Sequence, residues 1–115
     1  MPPDGPTASL VQLVDVPAAQ ALAADPSVVV IDVRTPAEFA EGHIDRAVSV
    51  DFDAPGFGDR IAEFDHSATY LVYCHSGNRS GQATAVMADL GFANVNDLEG
   101  GISVWQAAGA PIVKS

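Results

Sequence analysis

Two short runs, 28–32 (VVVID) and 70–74 (YLVYC), constrain the fold of this chain more than any other feature. Both are rich in β-branched or aromatic residues and nearly free of polar interruptions. That is the pattern of strands buried on both faces, as in the middle of a parallel sheet. Parallel strands need crossover connections, usually helices, and helical patterns stand where they are needed. Residues 17–24 are Ala-rich and stop at Asp25-Pro26. After the first run, Thr35 can cap a helix, Pro36 suits its first position, and Glu38 completes a capping box, with Gly42 as a left-handed stop. After the second run, Ala83, Val86, Met87 and Leu90 fall at i, i+3, i+4 and i+7, and Gly91 ends the pattern. Weaker strand patterns lie at 10–14, 47–50 and 95–98, with one or two helical turns at 60–64 and a last helix at 102–108. The expectation is an α/β domain with a mainly parallel central sheet and helices on both faces. Ligands then bind outside the carboxyl ends of the strands.

A chain of 115 residues is the size of one domain. Residues 1–9, with three prolines and no periodicity, read as a flexible lead-in, and 10–115 as the domain. Five basic residues against fifteen acidic ones give a net charge of −10. That balance argues against nucleic-acid partners, which demand a basic footprint, and against an anionic membrane surface. No apolar run reaches the length of a membrane span, and the first residues lack a cationic start and an apolar leader core. A cytoplasmic location is expected. The single cysteine, Cys74, excludes an internal disulfide. One thiol and three scattered histidines (His43, His66, His75) lack the spacing of a metal site.

Chemistry concentrates in residues 74–80, Cys74-His75-Ser76-Gly77-Asn78-Arg79-Ser80. A strand delivers the cysteine to a loop of small, polar and glycine residues that runs into a helix. Such a loop can curl so that successive N–H groups form an anion-binding nest. The helix start adds partial positive charge, and Arg79 adds a full one. Each favours a nucleophilic thiolate. The plain alternative is a small buried core residue, but the strand-loop-helix setting weighs against it. Two cysteine chemistries use such a cradle: phosphate-ester hydrolysis through a cysteinyl-phosphate, and sulfur transfer through a cysteinyl-persulfide. Phosphatase and arsenate reductase readings are disfavoured, because cysteine phosphatases carry a C-x-x-x-x-x-R loop and the spacing here is one residue shorter.

The loop CHSGNRS resembles the active-site loop of the rhodanese family of single-domain sulfurtransferases. Residues 28–44 (VVVIDVRTPAEFAEGHI) are similar to that family's strand-helix signature, with D-V-R, E-F and G-H-I in order. Residues 98–112 (LEGGISVWQAAGAPI) are similar to its closing segment, with Gly-Gly, Trp and A-G-x-P. Three ordered motifs together are far more specific than any one of them. The family carries a glycine where Arg46 stands here, a difference expected to touch a local turn. His75 leaves the loop mouth less cationic than the arginine common at that position.

The resemblance implies a rhodanese-like fold and a thiosulfate sulfurtransferase. Cys74 would take a sulfane sulfur from thiosulfate or a similar small anionic donor and pass it as a persulfide to a thiol or cyanide. No cofactor or metal is implied. The alternative is a persulfide carrier or regulatory module loaded by a partner protein in a sulfur relay. His75, Ser76, Gly77, Asn78, Arg79 and Ser80 are the expected substrate-binding loop. Arg79 is either its charge source or a clamp on a carboxylate. Asp32 and Arg34 are candidate supports, with mutual pairing the favoured reading. His43 reads as packing, His66 as surface, and Trp105 as core. Asp51, Asp53, Asp59 and Asp65 read as a solvated face.

Overall fold

A computed structural model describes residues 11–114. The lead-in over 1–9 and the first residue of the expected strand, Leu10, lie outside the described residues. Five strands, β1 (Val11–Val14), β2 (Val28–Asp32), β3 (Val48–Ser49), β4 (Thr69–Tyr73) and β5 (Asn94–Leu98), form one sheet in the order β1-β5-β4-β2-β3. Every strand pair in it is parallel. Five helices connect or follow the strands: α1 (Val16–Ala24), α2 (Pro36–Glu41), α3 (Phe57–Ala62), α4 (Asn78–Asp89) and α5 (Gly101–Ala107).

The two constraining runs become the inner neighbours β2 and β4, and β4 is flanked by β2 and β5. Alternation along β4 sends Tyr70, Val72 and then Cys74 into one apolar core, and Leu71 and Tyr73 into the other. The first core is closed by Phe57 and Ile61 of α3 and by Ala83 and Met87 of α4. The second is closed by Ala19 of α1 and by Ile102 and Trp105 of α5. Trp105 is buried as expected, and its indole N–H donates to the Pro111 carbonyl at 2.8 Å.

Several local expectations are corrected. Cys74 is not the last residue of the strand but the first beyond it. The helix expected at 60–64 begins at Phe57, because Phe57 and Ile61, one turn apart, both bury against the sheet. Leu90 lies past the end of α4 and is exposed. The buried stripe of that helix instead includes Ser80 and Thr84, whose hydroxyls are hydrogen-bonded. The capping box of α2 forms as read, but Gly42 is not left-handed: its φ and ψ are 158° and 136°. Its positive φ would strain a side chain, and a Cβ there would also press on the end of the Ile112 side chain, 2.8 Å away. Arg46 keeps a left-handed φ of 70°, and its guanidinium donates to the Ala23 carbonyl near the end of α1. The turn that glycine would serve is preserved by a residue with a side chain to anchor.

Candidate active site

Cys74 leaves the carboxyl end of the central strand with its side chain only 1% exposed, at the edge of the α3/α4 core. Residues 75–77 curl above it. The Gly77 amide donates to Cys74 Sγ at 2.9 Å, and Gly77 is also the N-cap of α4. Its φ of 104° lies in the left-handed region, which a side chain would strain. The sulfur therefore sits at the positive end of a helix of 12 residues. The amides of the first turn, from Asn78 onward, are donors that a helix leaves without an internal acceptor.

The loop backbone is held from the other side by α5. The Ile102 amide donates to the Cys74 carbonyl at 2.9 Å, and the Ser103 amide to the His75 carbonyl at 3.0 Å. Gly101 makes this approach possible. With φ at 65°, a Cβ there would stand 2.5 Å from both carbonyl oxygens. Of the Gly-Gly pair of the closing motif, Gly101 is thus explained by the loop lying directly upon it, and Gly100, with φ at 81°, by Val104, whose Cγ1 a Cβ would meet at 2.6 Å.

Arg79 is a clamp. Its guanidinium forms two hydrogen bonds with Glu38 on α2, at 2.8 and 3.0 Å. The pair raises the Arg79 pKa, and the neighbouring Cys74 and Asp53 add to that. It holds the Glu38 carboxyl down at about 2, chiefly through the hydrogen bond from Arg79. Ser80 turns away from the loop mouth. Its hydroxyl is fully buried and donates to Asp97 of β5 at 2.7 Å. Burial pushes the Asp97 carboxyl up. His75, Ser76 and Asn78 are exposed.

Asp32 and Arg34 pair with each other at 2.7 Å and do not bond the loop. Asp32 also accepts from the Tyr73 hydroxyl at 2.8 Å, and Arg34 donates to the Gly42 carbonyl at 2.6 Å. Burial, the largest influence, would lower the Arg34 pKa, but the hydrogen bond and charge of Asp32, together with Tyr73, outweigh it and the net direction is upward. Burial, with the Asp32 charge beside it, pushes the Tyr73 phenol far above its usual range, so it stays a donor. His43 packs as expected, stacked on Phe39 at 3.7 Å. His66 is half-buried against Phe92 rather than on the surface. Asp53, Asp59 and Asp65 are exposed, and Asp51 is half-buried. Among the described residues no cluster of three or more His, Cys, Asp or Glu is placed to hold a metal ion.

Sequence reading missed three partners of the loop: Glu38 for Arg79, Asp97 for Ser80, and Gly101 beneath the Cys74 carbonyl. Glu38 was visible only as a cap. Asp97 carried a signal, a carboxylate inside an otherwise strand-like run beside β4. Beside the loop, α2 and α5 border a cleft of about 320 Å³, lined in part by Arg34, Glu38, Glu41, His75, Ile102 and Gln106.

The profile of the Rhodanese-like domain family matches residues 15–108. The chain is 38% identical over 94 residues to a protein named Sulfurtransferase from Allochromatium vinosum, covering 82% of this chain and 86% of that one. It is 40% identical over 79 residues to the protein named Thiosulfate sulfurtransferase GlpE of Ectopseudomonas mendocina, covering 69% and 71%. Its fold is similar to the crystal structure of a rhodanese-related protein from Thermoplasma volcanium. The TM-score is 0.81 at 27% identity, over 90% of this chain and 99% of that one.

Proposed function

The chain belongs to the Rhodanese-like domain family, and from that premise we propose that it is a sulfurtransferase whose Cys74 carries the sulfur in transit. The Cys74 thiolate attacks the outer sulfur of thiosulfate or a similar donor. The donor's S–S bond breaks, sulfite leaves with the bonding pair, and Cys74 holds a persulfide. A thiol or cyanide then takes the terminal sulfur and the Cys74 thiolate returns. This is a two-step covalent exchange without net oxidation.

The observation that carries the reading is the Gly77 amide, 2.9 Å from Sγ at the start of α4. That donor and the helix end stabilise negative charge on the cysteine sulfur and on the sulfur added to it, as oxyanion donors do for oxygen. His75, Ser76, Gly77, Asn78, Arg79 and Ser80 form the loop that holds the anion. Within it Arg79 and Ser80 act through their partners Glu38 and Asp97. Asp32 and Arg34 support the sheet end from which the loop springs. A working free thiol fits a reducing compartment such as the cytoplasm.

Steady-state formation of thiocyanate from thiosulfate and cyanide tests the scheme. Parallel double-reciprocal lines, and no turnover in Cys74→Ala, are expected. Intersecting lines, or turnover in the alanine variant, would reject it.

One observation favours a second reading. Both arginines beside the site are engaged with carboxylates, so neither is spare to draw a dianionic donor. A carrier loaded by a partner protein fits that arrangement, and would load from the partner far faster than from thiosulfate.

A further inference from the structure

The cleft beside the loop has an uneven charge. Arg34, buried at its inner wall, is neutralised by Asp32. Glu38 is neutralised by Arg79. Glu41, the last residue of α2, lines the same cleft, is exposed, and has no ion-pair partner among the described residues. The opposite wall is His75 and, from α5, Ile102 and Gln106. Ile102 is itself bonded to the Cys74 carbonyl, so the cleft abuts the loop that bears the nucleophile.

We propose that Glu41 is a specificity-determining residue, and that the cleft takes small thiols carrying an ammonium group in preference to thiols carrying a carboxylate or sulfonate. This rests on the reading of Cys74 as a sulfur carrier and names the acceptor class of that same site. The short arm of an aminothiol spans the cleft between α2 and α5, its ammonium faces Glu41, and its sulfur reaches the loop at His75. In the transfer itself the aminothiolate attacks the terminal sulfur of the Cys74 persulfide. The new S–S bond forms on the acceptor, the old one breaks, and its electron pair returns to the Cys74 sulfur. No oxidant or reductant is needed. A single unpaired charge near a half-open cleft shifts binding of a unit charge by about threefold in either direction at low salt, and less as salt rises.

The test has two arms, read in wild type, Glu41→Gln, Glu41→Lys and a distant control, Glu63→Gln. The first arm measures rates of Cys74 modification by a cationic and an anionic methanethiosulfonate reagent, and needs no sulfur transfer. The second measures kcat/KM for cysteamine and for 3-mercaptopropionate as acceptors. Differences in intrinsic thiol reactivity cancel when each variant is divided by wild type. The cationic-to-anionic ratio is expected to fall about tenfold in Glu41→Gln in both arms, because one rate drops as the other rises. It falls further in Glu41→Lys and stays at the wild-type value in Glu63→Gln. An unchanged ratio in Glu41→Lys, with transfer intact, overturns the proposal alone. A ratio that shifts in the first arm while neither thiol accepts sulfur keeps the charge selectivity and overturns the transfer reading.

Discussion

Two arginine–carboxylate pairs flank the Cys74 loop, and they are built differently. Arg34–Asp32 is buried, with side-chain exposures of 6% and 0%, and is closed further by Tyr73 and the Gly42 carbonyl. Arg79–Glu38 is part-exposed, at 25% and 30%, and joins the loop to α2 as a two-pronged clamp. The buried pair joins neighbours two residues apart at the end of β2. The clamp joins residues 41 apart in sequence. The same chemistry therefore serves two ends. One pair holds the sheet terminus from which the loop springs, and the other sets the position of the loop. Burial decides which property suffers when a pair is broken.

The largest effect is expected on the buried side. Asp32→Ala leaves a charged guanidinium without its partner and costs about 3–5 kcal/mol. For a domain of this size that lowers the melting temperature by roughly 15 °C or more. A fall of only a few degrees in a thermal melt would show that the two pairs are energetically alike. Gly101→Ala comes next and probes the loop's other anchor. Its Cβ cannot fit against the Cys74 and His75 carbonyls, so a loss of at least about 2 kcal/mol is expected together with loss of transfer activity. Retained activity would show that the loop does not need that contact.

Glu38→Gln should behave in the opposite way to Asp32→Ala. Stability changes by no more than about 1 kcal/mol, while kcat/KM for sulfur transfer falls about tenfold through misplacement of the loop. Parallel melts and kinetics check this, and a variant that is fully active but markedly less stable would erase the contrast. The smallest effect is the response to pH. The Glu38 carboxyl is held at about 2, below its unperturbed value of 4.5. Its contribution is therefore fully present above about 4.5 and is lost as pH falls through about 2. Carbon NMR of the Glu38 carboxyl should titrate near the lower value, and in Arg79→Ala near the upper one. A midpoint near 4.5 in wild type would mean that the clamp is open in solution.

The same contrast shows what was legible in the sequence. Asp32 and Arg34 sit side by side after a buried strand, so their pairing could be read directly. The cysteine loop was legible as well, because strand, glycine-bearing loop and helix start are contiguous at 72–83. The capping box of Thr35 and Glu38 is local and formed as read. What escaped depended on distant segments meeting. Glu38 reaches Arg79 only because β2 and β4 pair in parallel and end together. Asp97 reaches Ser80 only because β5 lies against β4. Gly101 matters only because α5 returns beneath the loop. Helix and strand ends moved by one to three residues, most at α3, where the burial of Phe57 with Ile61 carries the helix back to residue 57.

Mass spectrometry of the intact chain after incubation with thiosulfate, and separately with a small-molecule persulfide, decides whether Cys74 carries sulfur. The wild-type protein should gain one sulfur atom, mapped to the peptide bearing Cys74 and removed again by excess thiol, while Cys74→Ala gains none. A wild-type chain that stays unmodified with both donors, or one that takes its sulfur at another residue, would show that Cys74 is not the sulfur carrier.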